Sequence, residues 1–198
     1  LFGGLLADEW ATASTFVQND QADTRNIGSE NNTVEEGFRA LHRVRTSVNL
    51  ALPLMASFRP TEITQRAELY LARAFAEMQL ASDFCNGIPL SNAATADGSI
   101  VYTVPLTVDS VFKLAVITAD SGIALATAAD TQTVAILNAL RLMKARALMG
   151  IGGTANYNAA AALAALVPGR FEYNHTYSVN VFDNGIWGQP RSNRRYLV

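Results

Sequence analysis

Asp8 and Glu9 stand side by side in LLADEW and are the first residues that could do acid–base work. Adjacent side chains leave the backbone in different directions, so the two carboxyls do not flank one bond as a hydrolytic pair does. Ion pairs or helix capping are their expected uses. The two histidines, His42 and His175, lack the i,i+4 spacing that sets two metal ligands on one helical face. No metal site is expected, and His42, beside Arg43 and Arg45, reads as a helix-surface residue. The single cysteine, Cys85, rules out an internal disulfide and a cysteine-based zinc site. At the end of an apolar helix it is expected to be a small buried thiol. GIGG, residues 150–153, follows a helical pattern rather than a strand, and no Lys-Ser or Lys-Thr comes after it. It reads as a helix end and a turn, not a phosphate cradle. There is no G-x-S-x-G elbow. No catalytic residue and no cofactor is expected.

The C-terminal stretch offers binding chemistry instead. Tyr173, Tyr177, Phe182 and Trp187 alternate with Asn174, Asn180, Asn184, Arg191 and Asn193. Aromatic faces beside amides and guanidinium suit a sugar, whose flat C–H surface is ringed by hydroxyls. The competing use of the same aromatics is packing on neighbouring helices.

Composition sets the frame for these residues. Of 198 residues, 49% are hydrophobic, so a substantial core is expected; only 16% are charged. A net charge of −2 gives no electrostatic reason to bind nucleic acid or an anionic membrane. The longest apolar stretch, 111–129, is interrupted by Lys113 and Asp120 and does not read as a membrane span. No signal peptide is visible, and the sequence reads as a segment of a longer chain.

The elements that must position these groups are helices. Phe38, Leu41, Val44 (or Arg45), Val48 and Leu52 recur at helical spacing and predict a helix over about 34–55, capped by Thr33 and ended or kinked by Pro53. A second helix begins near Thr61. At about 100° per residue, Ala67, Ala74 and Ala81 form a narrow stripe with Leu71 and Met78 beside it. Glu62, Arg66, Arg73 and Glu77 fall on another side, where Glu62-Arg66 and Arg73-Glu77 are i,i+4 pairs worth a few tenths of a kcal/mol each if exposed. Asn86-Gly87 closes that helix and Pro89 prevents its restart. Further helices are expected over about 107–126, 133–149 and 156–167, with loops at 11–33 and 91–106. The expected fold is all-α, a tetratricopeptide-like array of helical hairpins over 1–170, followed by an extended segment over 171–198.

AELYLARAFAEMQLASDFCNGIPLS resembles the helix-plus-turn hallmark of the SusD/RagB family of outer-membrane nutrient-binding lipoproteins. Ala67, Glu68, Arg73, Ala74, Phe75, Leu80, Phe84, Pro89 and Leu90 occupy matching positions. LLADEW resembles the family's early "DE" segment, and FRALHRVRTSVNLAL the helix after it, with Asn49 in place. VDSVFKLAVITADSGIALA and NYNAAAALAALVP resemble two later helices. Cys85-Asn86-Gly87 departs from the more usual Gly-rich turn. The resemblance implies a bacterial, surface-exposed location in the outer membrane, through a lipid anchor on a segment preceding Leu1. It implies a TonB-dependent, SusC-like transporter as partner and an oligosaccharide or other nutrient as ligand. It also implies ligand contacts from the irregular segment after the "DE" motif, and a further C-terminal part.

Together these give Trp10, Arg25, Asn26, Asn31, Tyr177, Trp187 and Arg191 as candidate ligand-binding residues. The alternative is a helical protein-interaction scaffold without a small ligand. A glycosidase using Asp8, Glu9 or Glu172 has no paired carboxylates placed by spacing.

Overall fold

The computed structural model describes residues 2–12, 16–92, 99–178, 180 and 196–197. Among them it is an all-α protein. Its helices are α1 (Phe2–Leu6), α2 (Val17–Asp23), α3 (Asn32–Phe58), α4 (Ile63–Asp83), α5 (Val108–Leu125), α6 (Thr131–Ile151) and α7 (Thr154–Ala165). Two short strands, β1 (Ala11–Thr12) and β2 (Tyr196–Leu197), pair antiparallel, with Ala11 opposite Leu197 and Thr12 opposite Tyr196. The chain forms two compact units, one of residues 1–40 with 174–198, the other of residues 41–173.

The larger unit holds the expected helical hairpins. α4, α5 and α6 pack on one another, and α7 packs on α6. Glu77 meets Thr118 while Tyr70 meets Gly122, so α4 and α5 run antiparallel. Gly122 meets Leu140 while Asp120 pairs with Lys144 at 2.6 Å, nearer the C-terminal end of α6, so α5 and α6 do too. The alanine stripe is buried as its spacing predicts. Ala67, Leu71 and Ala74 join Ala119, Ala126, Ile136, Ala139 and Leu140 in one cluster, against which Phe171 and Tyr173 pack.

Side-chain caps start the helices where the chain must turn. Thr107 Oγ1 accepts from Ser110 N at 3.2 Å to open α5, and Asp130 Oδ1 accepts from Thr133 N at 3.0 Å to open α6. Hydrogen bonds from the Thr133 hydroxyl and N–H hold the Asp130 carboxyl below its ordinary value. The GIPL turn has a comparable task. Gly87 takes φ +100°, Ile88 pairs with Leu106 across the loop, and Asn86 Oδ1 accepts from Val108 N at 2.8 Å. The end of α4 is thereby fastened to the start of α5.

Several elements differ from the sequence expectation. α3 starts at Asn32, with Asn31 rather than Thr33 as its cap, and runs past Pro53 to Phe58. Pro53 sits on an exposed face, where its ring meets solvent and only one backbone hydrogen bond is forfeited. α2 lies inside the stretch that reads as loop. VQNDQAD has no apolar stripe, and long-range side-chain bonds hold it: Asp23 accepts from both N and Oγ1 of Thr12 at 3.1 Å. Cys85 is exposed, because it lies beyond Phe84, whose extended φ −121°, ψ 148° ends the helical periodicity. Glu77 is fully buried rather than part of an exposed face.

Gly122 lets the three central helices approach. A Cβ there would lie 2.8 Å from Leu140 Cδ2 and 2.9 Å from Tyr70 Cβ. Gly122→Ala is expected to cost about 1–3 kcal/mol by overpacking, and Gly122→Val more. Urea denaturation followed by circular dichroism checks this, and a midpoint unchanged in both variants would contradict the packing.

Candidate functional site

Each unit carries a polar cleft. In the smaller unit the cleft is built where α2 meets the first turn of α3. Asn31 makes the junction: its Nδ2 donates to Gln18 O at 2.8 Å and Gln21 Oε1 at 2.9 Å, and its Oδ1 accepts from Val34 N at 3.1 Å. Thr33 Oγ1 donates to Asn19 Oδ1 at 2.8 Å. These bonds set the walls of a cleft of about 410 Å³ lined by Phe16, Val17, Gln18, Asn19, Asn32, Thr33 and Glu36. Phe16 and Val17 are exposed and form an apolar lip; amides, a hydroxyl and the Glu36 carboxylate complete the ring.

The cleft of the larger unit lies between α3 and α4 and is built on a buried carboxylate. Glu77 Oε2 accepts from Thr118 Oγ1 at 2.6 Å and Oε1 accepts from Arg73 Nε at 2.8 Å. Arg45 of α3 brings its Nε to 3.5 Å from the same Oε1, close enough for an ion pair but outside hydrogen-bonding geometry. Arg45 Nη2 reaches the Leu90 carbonyl at 3.5 Å, tying α3 to the GIPL turn. Asn49 Nδ2 donates to Asn92 Oδ1 at 3.2 Å. Arg45, Asn49, Leu52, Pro53, Arg73 and Asn92 line an open cleft of about 420 Å³. Burial lowers the pKa of Arg45, and the Arg73 charge pushes the same way against the attraction of Glu77.

The sequence-derived candidates are dispersed. Asn31 is buried and committed to the α2–α3 junction. Arg25 pairs with Asp8 at 2.5 Å and donates from Nε to Leu6 O at 3.2 Å. Asn26 is exposed beside it, its N–H donating to Gln21 O. Trp10 is half-buried, and its indole lies against Gly4. Tyr177 is exposed. Trp187 and Arg191 lie outside the described residues. Tyr173 donates to Glu68 Oε1 at 3.1 Å, and burial with the Glu68 charge pushes its hydroxyl up to about 12. Glu172 is exposed, and Asp8 is held by Arg25. The lining residues Phe16, Val17, Gln18, Asn19 and Glu36 were not among the candidates. Their only sequence signal was an aromatic followed by amides in a polar stretch.

Comparison of the chain with protein-family models, with curated proteins and with solved structures found no match.

Glu77→Gln is expected to lower stability by about 3–5 kcal/mol, because two guanidiniums then face each other around a neutral buried amide. Denaturant titration checks it, and a loss within half a kcal/mol would show that Glu77 does not hold the cluster together.

His42, one turn before Arg45, is held below its ordinary 6.5 by burial and then by the Arg45 charge. The unfolded chain therefore binds this proton more readily than the folded one. Stability is fully present above 6.5 and falls as pH drops from there toward the depressed folded value. His42→Gln is expected to flatten that part of the pH profile, measured as urea midpoints across the window; an unchanged slope would contradict it.

Proposed function

We propose that this chain is a non-catalytic binding protein that captures an oligosaccharide, or a nutrient of similar chemistry, at the bacterial cell surface. It would act beside a TonB-dependent, SusC-like outer-membrane transporter. One observation carries the reading: the cleft of the smaller unit sets the Phe16 ring and Val17 beside Asn19, Asn32, Thr33 and Glu36. An aromatic face for C–H surface, with amide, hydroxyl and carboxylate partners for hydroxyls, is what a sugar ring needs. The cleft lies in the segment after Asp8-Glu9, where the family resemblance places ligand contacts. The resemblance also supplies the transporter, the lipid anchor and the outer membrane. In this reading the hallmark helix is scaffold: it carries Glu77, Arg73 and the alanine stripe, and it ends in the turn that receives Arg45.

A second reading has its own observation. Leu50, Leu54 and Phe58 follow one another at four-residue spacing on α3 and are 46%, 57% and 80% exposed. Side chains four apart share a helical face, and an exposed apolar stripe is a feature of protein-interaction surfaces. It supports a helical scaffold that docks a protein and needs no small ligand.

Isothermal calorimetry with a panel of plant, host and bacterial oligosaccharides separates the two. The binding reading expects saturable heat with at least one glycan, and about tenfold weaker affinity in Phe16→Ala, the loss of roughly 1.4 kcal/mol. No saturable heat across the panel, with retention of a SusC-like transporter by the immobilised protein and loss of that retention in Leu54→Asp, would favour the scaffold.

A further inference from the structure

The cleft between α3 and α4 has a chemistry that the proposed sugar cleft does not share. Arg45 is only 4% exposed, yet its acceptors among the described residues are the Leu90 carbonyl at 3.5 Å and, without hydrogen-bond geometry, Glu77 at 3.5 Å. Its Nε is buried with no hydrogen-bond partner. A guanidinium carries five N–H donors, and buried polar groups are ordinarily satisfied. Arg73, on the next helix, shares the same carboxylate oxygen. Two positive charges thus meet one negative charge, and Thr118 occupies the other oxygen of Glu77 as a donor. The cluster is short of acceptors and of negative charge. Arg45 and Arg73 both line an open cleft, with Asn49 and Asn92 beside them.

We propose that this cleft binds a small oxyanion, a carboxylate, phosphate or sulfate group, between the guanidiniums of Arg45 and Arg73. The planar fork of arginine donates two parallel hydrogen bonds to a pair of oxygens on one centre, geometry that all three groups offer. An oxyanion supplies the missing acceptors and offsets the excess positive charge, which a carboxylate cancels outright. The amides of Asn49 and Asn92 add neutral polar contacts at the rim, and Leu52 and Pro53 form the apolar side. This site is independent of the sugar cleft, and each stands or falls without the other.

The test follows the Arg45 Nε–Hε signal of the 15N-labelled protein in separate titrations with sodium phosphate, sodium sulfate and sodium glucuronate, each against sodium chloride at equal ionic strength. The expected result is a saturable shift with at least one oxyanion and none with chloride. Phosphate or sulfate alone would identify a tetrahedral anion, and glucuronate alone a carboxylate. Arg73→Gln is expected to weaken the apparent affinity at least about tenfold, the usual effect of losing a charge-assisted contact. Arg43→Gln, the same charge change at an exposed position of α3, is expected to leave it unchanged. If Arg73→Gln does not fold, Asn92→Ala carries the comparison. Three results would each overturn the proposal: no saturable shift with any oxyanion, an equal shift with chloride, or an equal loss in Arg43→Gln.

Discussion

A single carboxylate, Glu77, governs how three helices meet. It lies on α4, receives Thr118 from α5, and stands against Arg73 of its own helix and Arg45 of α3. A buried charge can remain charged only where donors surround it, so each partner must arrive at one position along its helix. The desolvation of such a cluster offsets most of its attraction, and its chief effect is register rather than net stability. The apolar surface supplies the latter: Ala67 and Ala74 permit close approach, and Leu71, Ile136 and Leu140 fill the space between.

The hairpins were largely legible because their signals were local and redundant. Alanine at every seventh position marks the packing face of α4, and GIGG ends α6 at Ile151, whereas α4 stops at Asp83 with extended Phe84 as its cap, before Asn86-Gly87 is reached. The failures share a different cause. At about 100° per residue Glu77 lies only about 40–60° from Ala81 and Ala74, on the flank of the alanine stripe, and Arg45 of α3 reaches it there. That contact joins residues far apart in sequence, and periodicity places each on its helix without showing that the two meet. α2 is a polar helix held by Thr12 and Asn31, again at a distance.

The candidate sites were less legible than the fold. Asn31 was picked for its amide and proves to be the junction that shapes a cleft, while its neighbours Asn32 and Thr33 line it. Residue type alone does not separate a side chain that builds a wall from one that presents itself at the wall. The burial of Arg45 had one sequence marker, its three- and four-residue spacing from Val48 and Leu41, which Val44 shared as the apolar alternative; Arg45 is the one buried and Val44 is exposed. In RALHRVRTSVNL it is one of four cationic or imidazole side chains, and Glu77 and the Leu90 carbonyl, both distant in sequence, receive it in the fold.

Ile88 and Leu106 are joined by backbone hydrogen bonds in both directions, and Ile88 is buried beneath them. The loop between α4 and α5 is thereby closed at its neck, and its two ends keep their spacing whatever the chain does between them. Lengthening a loop whose ends are already pinned adds little entropic cost. Leu90 and Asn92 lie just beyond that neck and meet Arg45 and Asn49 of α3, so the same closure fixes the rim of the cleft between α3 and α4.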